Sequence, residues 1–107
     1  MKKLYRFIAW EGKKYWDETK FNACIDTEND HIKNVLSLGD EAIIPTLMLL
    51  RISYPTKSKY IHFCLILLEK LCPGLVTGEG TIDEYCQAWL GVYDLLMQRL
   101  KNDENKS

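Results

Sequence analysis

The sequence predicts an all-α fold, a compact bundle of four to six helices. Four segments carry apolar residues at the three- and four-residue spacing of a helix, and short polar or glycine-containing connections separate them. With 107 residues, the chain has the length of one domain. We therefore expect a single helical domain over residues 1–101, followed by a frayed tail over residues 102–107.

The N-terminal segment fits either a helix or a strand. Residues 4–10 are rich in aromatic side chains, and a hairpin that turns at Gly12 is one interpretation. The helical interpretation is favoured because it places Leu4, Phe7 and Ile8 on one face, with Glu11 as a further candidate for it. In that case, Gly12 is expected to break or kink the helix.

A helical hairpin is predicted over residues 30–52. Its first helix ends near Leu38, and Gly39 then suits the left-handed position that commonly follows a helix. Asp40 is expected to cap the second helix directly. Pro45 falls within the first turns of that helix, where a proline is tolerated.

The second helix of this hairpin and the helix predicted over residues 59–72 have little polar surface. They should lie centrally, covered by the terminal helices or by a second copy of the protein. Thr81 and Glu84 form a capping box that starts the last helix, which is expected to end at about Lys101. The last helix has an amphipathic stripe consisting of Ile82, Tyr85, Cys86, Trp89, Val92, Tyr93, Leu96 and Leu100.

Composition excludes several classes of protein. The net charge of -1 rules out a polycation, and 47% hydrophobic with 27% charged residues is ordinary for a globular domain. The longest apolar runs, residues 42–50 and 61–68, are too short to span a bilayer. The start of the chain lacks the apolar stretch of a signal peptide. We therefore expect a cytoplasmic protein without membrane attachment, whose cysteines (24, 64, 72 and 86) are reduced core thiols.

Motifs for chemistry are lacking. The cysteines and the two histidines do not have metal-ligand spacing. His62 and Cys64 are two residues apart on a helix, so their side chains diverge by about 200°. The glycine-rich stretch 74–80 has neither a preceding strand nor a following lysine, as phosphate-binding loops require. The sequence thus predicts no catalytic residues, no metal and no cofactor.

Aromatic and basic residues point to binding instead. Three tryptophans and six tyrosines are a generous supply of the side chains that anchor protein interfaces. Residues 1–20 carry a net charge of +3. The candidate partner-binding residues are Trp10, Trp16, Glu18, Tyr54, Lys57 and Tyr60. The alternative is nucleic-acid binding through the N-terminal lysines and the Tyr54–Tyr60 loop, because basic residues interleaved with aromatics contact phosphates and stack on bases.

Three short elements resemble a family of small bacterial proteins. They are Trp16-Asp17-Glu18-Thr19-Lys20-Phe21, the Leu-Gly-x-x-Ala-x-x-Pro element at residues 38–45, and Ala88-Trp89-Leu90. The middle element is also similar to the start of the second helix in HEAT-type repeats. The chain departs from the family pattern at Asn29-Asp30, where the family has His-Pro, and in an aliphatic central helix that replaces a tryptophan-rich one. The resemblance implies an all-helical fold with a HEAT-like hairpin and supplies no catalytic residues.

The leading hypothesis is a non-enzymatic protein–protein interaction module. This hypothesis includes a small antitoxin, an immunity protein and a regulatory subunit. Homodimerisation is compatible with each of them.

Overall fold

A computed structural model describes residues 2–19, 30–56, 60–76 and 80–105, with side-chain surroundings for residues 3–17, 30–56, 60–76 and 80–102. These ranges contain helices and no strand, which confirms the all-α fold. None of the described helices is long and apolar enough to cross a membrane. The helices are α1 (Lys2–Thr19), α2 (Asp30–Leu36), α3 (Ile43–Ser53), α4 (Tyr60–Leu71) and α5 (Ile82–Asn105).

Helices α3 and α4 form the centre of the bundle, as their apolar composition predicts. They pack against each other, α1 packs against α2, α3 and α4, and α5 packs against α3. Burial of apolar surface is the main force that holds such a core together. The largest fully buried apolar side chains are Trp89, Phe63, Ile8, Ile32, Leu47, Leu50, Leu67 and Leu68.

Helix α1 is continuous from Lys2 to Thr19, so the predicted break at Gly12 is wrong. Gly12 is instead a point of close approach, where a Cβ atom would lie 2.9 Å from the ring of Phe63 and 3.0 Å from that of Tyr60. One turn later, the Tyr15 ring packs against Phe63 with 5.4 Å between ring centres. The missing side chain therefore lets α1 sit directly on α4.

The connection between α2 and α3 differs in detail from the prediction. Gly39 has a φ of 66°, as expected for a residue that follows a helix in the left-handed region. Asp40 does not cap α3 with its side chain, because a 3₁₀ turn over Gly39–Ala42 comes first and α3 begins at Ile43. The Asp40 carbonyl accepts the Ile43 N–H instead. Pro45 lies in the first turn of α3, as predicted.

Helix α5 starts as predicted and continues further. The Glu84 N–H donates to Thr81 Oγ1 at 3.1 Å, which is the bond expected from an N-cap threonine. Helix α5 extends to Asn105, beyond the expected end at Lys101. Of the predicted stripe, Cys86 and Trp89 are fully buried, whereas its two terminal members, Ile82 and Leu100, are exposed.

The described cysteines are free thiols, as predicted. Cys64 and Cys86 are buried and Cys72 is half-buried. Burial raises the pKa of the Cys64 thiol far above its usual range, and the nearby Cys86 raises it further. The pKa values of Cys72 and Cys86 are also raised, mainly by burial. Cys24 lies outside the described residues.

Candidate functional site

The outward face of α1 carries a regular row of exposed side chains. The row consists of Lys3, Phe7, Trp10, Lys14 and Asp17, separated by steps of four, three, four and three residues. Steps of three and four keep side chains on one face of a helix, and their alternation is the heptad spacing by which helices pack side by side. We call this row the outer seam of α1.

Two further cations flank the outer seam. Arg6 and Lys13 are both exposed and lie seven residues apart, so they occupy the same edge of the seam. Together with Lys3 and Lys14, they give four cations on this face, against the one carboxylate of Asp17 among the side chains described for residues 3–17. The face is therefore strongly basic, although the whole chain has a net charge of -1.

Two large aromatic side chains stand in the middle of the outer seam. Trp10 is 56% exposed and Phe7 is 37% exposed. The Lys14 Nζ lies 5.1 Å from the centre of the Trp10 ring, a cation–π contact that covers part of one ring face. Of the residues predicted to share one face of this helix, Ile8 is fully buried, whereas Phe7 is more than a third exposed.

The opposite side of α1 fixes this helix to the rest of the protein. Ile8, Glu11 and Tyr15 are buried there. The Glu11 Oε2 lies 2.6 Å from His31 Nδ1 and accepts a bond of 3.4 Å from Asn34 Nδ2, so α1 is tied to α2 by polar contacts as well. A buried carboxylate needs such partners. The outer seam thus belongs to a helix that is held to the rest of the protein along its opposite side, which suits a binding surface.

The other predicted aromatic residues lie elsewhere. Trp16 is 38% exposed, but six residues separate it from Trp10, which places it about 120° around the helix. Tyr54 is half-buried, and its hydroxyl accepts a bond of 3.3 Å from Gln87 Nε2. Tyr60 is half-buried beside Gly12. The structure therefore does not bring these three residues together with Trp10.

The two predicted charged residues are less fully described. Glu18 belongs to α1, but its side chain is outside the described part of the structure, and Lys57 is outside it altogether. Phe7 and Asp17 were not among the predicted site residues, whereas Lys3 and Lys14 belong to the N-terminal lysines named for the nucleic-acid alternative. Their spacing of four and three was visible in the sequence, but it could not be assigned to an outward face before the inward face was known.

A second exposed apolar surface lies on α5. Leu75, Val92, Leu95 and Leu96 line an open groove of about 410 Å³, and Leu95 is 65% exposed. Gln98, Arg99 and Asn102 also line this groove. The lining of this groove is mostly apolar.

The described ranges hold little that suits catalysis or metal binding. No group of three or more His, Cys, Asp or Glu side chains within them is placed to hold a metal ion. His62 is exposed and Cys64 is buried, so these two side chains diverge as their spacing predicts.

No family model, curated protein or solved structure matches this chain. The resemblance to the small bacterial family and to HEAT repeats accordingly stays a prediction.

Proposed function

We propose that this protein is a non-enzymatic protein–protein interaction module and that the outer seam of α1 is its docking surface. The observation that carries the proposal is the exposure of Trp10 beside Phe7 at the centre of a basic helix face. Tryptophan and arginine are the residues most enriched at the energetic centres of protein interfaces. Trp10 and the neighbouring Arg6 provide both.

The magnitude of the exposed aromatic surface supports docking. Covering the exposed parts of Phe7 and Trp10 removes about 200 Å² of largely apolar surface from water, worth about 5 kcal/mol. Association of two proteins costs about 4–15 kcal/mol in lost freedom. The aromatic pair therefore offsets a large part of that cost, and contacts of the four surrounding cations with the partner supply more.

Nucleic-acid binding is the alternative proposal, and its support is weaker. The cations on α1 suit a phosphate backbone. However, Tyr54 and Tyr60 are half-buried and pack against the core, so they offer little free ring face on which bases can stack. The aromatic surface that is free, at Trp10, is already shared with Lys14.

We also propose three more specific roles for such an interaction module. An antitoxin, an immunity protein and a regulatory subunit all act by binding another protein, so the identity of the partner distinguishes them.

We also propose a cytoplasmic location for this protein. Its support is that Cys64 and Cys86 are unpaired thiols, which are typical of a reducing compartment.

Site-specific photocrosslinking in the native host tests the proposal. A benzophenone amino acid in place of Trp10 is expected to crosslink a discrete protein that survives nuclease treatment. The matched control carries the same amino acid in place of Ile52, which is 59% exposed on a different helix, α3. If position 10 yields no protein product beyond that of position 52, the docking surface is wrong. Nuclease-sensitive products at position 10 would favour the nucleic-acid alternative.

A further inference from the structure

We infer that the partner presents an acidic α-helix, with an apolar row at heptad spacing flanked by Asp or Glu residues seven positions apart. This inference rests on the proposed function, because it describes what docks on the outer seam of α1. Spacing, charge and the electrostatics of α1 itself each support it.

The shape of the outer seam favours a helix as the docking element. From Lys3 to Asp17, the alternating steps of four and three run straight along α1 for about 21 Å, at a rise of 1.5 Å per residue. Such a ridge on one helix is matched by the groove between rows of side chains on another helix. An apolar row on the partner would cover Phe7 and Trp10, which stand at consecutive seam positions.

The charges around the seam define what flanks that apolar row. Arg6 and Lys13 lie on one edge at the same heptad position, where coiled-coil partners form interhelical ion pairs. Lys3 and Lys14 add charge within the seam itself. A partner helix with acidic residues seven apart meets both edge cations at once, whereas a basic helix is repelled along most of the seam.

The placement of charge along α1 also opposes its own helix dipole. The first turn contains Lys3 and no acidic residue, and the last turn has no basic residue and contains Asp17. Cations at the N-terminus and anions at the C-terminus each weaken a helix. Folding gains nothing from this arrangement, whereas an acidic partner beside the N-terminal half of α1 compensates for it.

Nucleic acids and anionic membranes also bind cations and aromatic rings, so the test includes both as alternative ligands. A nucleic acid offers phosphates but no apolar row to cover Phe7. An anionic membrane needs an apolar helix face, whereas Lys3 and Lys14 lie within the seam, in line with the two aromatic residues. The acidic helix satisfies the apolar and the basic positions together.

Defined probes test the inference on the intact chain. The probes are two synthetic three-heptad peptides with the same leucine row, one with glutamate and one with lysine at the flanking positions. Single-stranded DNA and vesicles that contain phosphatidylglycerol are the comparison ligands. The readout is the indole N–H signal of Trp10 in the ¹⁵N-labelled protein, assigned with the Trp10→Phe variant. The glutamate peptide is expected to shift this signal, and the lysine peptide to leave it in place.

Charge reversal provides the matched variants. Lys13→Glu combined with Lys14→Glu is expected to weaken binding of the glutamate peptide at least tenfold, as is 500 mM salt, while circular dichroism shows an unchanged helical fold. Lys101→Glu reverses an exposed cation on α5 and should leave binding unchanged. The inference is overturned if the glutamate peptide shifts the indole signal no more than the lysine peptide does. It is also overturned if DNA or the vesicles shift it more.

Crosslinking to the captured partner distinguishes failure of this inference from failure of the proposed function. Loss of crosslinking in the Lys13→Glu, Lys14→Glu double variant, restored by changing acidic residues of the partner helix to lysine, would support the acidic helix. Crosslinking at position 10 that survives the double variant would leave the docking surface in place and remove the acidic helix. Absence of any protein product at position 10 would remove both.

Discussion

One threonine in the core keeps a hydroxyl group without a hydrogen bond. Thr46 is fully buried in α3, and its Oγ1 has no partner among the described residues. An unpaired buried hydroxyl costs about 1–3 kcal/mol, and valine has nearly the same shape. Thr46→Val is therefore expected to raise the free energy of unfolding by about 1 kcal/mol in urea titrations. The control is Thr56→Val, because Thr56 Oγ1 donates to the Ser53 carbonyl at 3.1 Å and its loss should not stabilise the protein. A less stable Thr46→Val variant would show that the hydroxyl is satisfied.

Two helical glycines are expected to respond oppositely to alanine. Alanine is favoured over glycine within a helix by about 1 kcal/mol. At Gly91 on α5 a Cβ atom meets nothing within 4 Å, so Gly91→Ala should raise the melting temperature. At Gly12 the Cβ would lie 2.9 Å from Phe63, and overpacking of this kind costs about 1–3 kcal/mol. Gly12→Ala should thus lower the melting temperature. Equal stabilisation by both changes would mean that α1 and α4 do not touch at this point.

The buried thiols make stability depend on alkaline pH. Burial raises the pKa values of Cys64 and Cys86, whereas in the unfolded chain these thiols ionise near their usual value. Their contribution to stability is therefore complete below about pH 8.5 and falls as the pH rises above it. Urea titrations should show a lower free energy of unfolding at pH 9.5 than at pH 7. This difference between the two pH values should be smaller in the Cys64→Ala variant than in the unchanged protein.

Burial should also protect these thiols from alkylation. Alkylation followed by mass spectrometry should find that Cys64 and Cys86 react slowly in the folded protein. Rapid alkylation of Cys64 before unfolding would contradict its burial.

At the scale of a helix, charge changes on α1 are expected to affect folding stability and partner binding differently. Lys3→Glu places an anion in the first turn and Asp17→Lys places a cation in the last turn, so each improves the interaction with the helix dipole by about 0.3–1 kcal/mol. Both variants should therefore unfold at slightly higher urea concentrations.

The same two variants should differ in binding to the glutamate peptide. Lys3→Glu removes a favourable charge and should weaken binding, whereas Asp17→Lys removes the carboxylate of the outer seam and should strengthen it. If binding changes in the same direction in both variants, the charge of the seam does not select the partner.

Helix boundaries show where local sequence signals were sufficient. Thr81 and Gly39 occupy the capping and left-handed positions that their residue types predict, because these preferences are local. The start of α3 was not predicted, since the 3₁₀ turn before it depends on how α2 and α3 pack. Gly12 was interpreted as a break for a similar reason. Whether a helical glycine interrupts a helix or allows close approach depends on its neighbour, here Phe63, which lies about fifty residues away in the sequence.

At the scale of the whole molecule, the sequence predicted the fold better than the binding surface. The central position of α3 and α4 followed from their nearly continuous apolar composition. The orientation of α1 did not, because Ile8 and Tyr15 on one side and Phe7 and Trp10 on the other are all large and hydrophobic. Contacts with distant residues decide which side turns inward, among them the fit of Tyr15 and Gly12 against Phe63. The outer seam is the side of α1 that this packing leaves exposed.

The contact between α1 and α4 has a consequence for synthesis. Tyr15 emerges from the ribosome about fifty residues before Phe63, a delay of about 3–10 s at 5–20 residues per second. During that interval α1 has no α4 to pack against, and a lone helix of this length is only marginally stable in water. The side destined for the core and the side that we propose for docking are then both open to other proteins. The docking surface that we propose is therefore available to a partner before the core of this protein has formed.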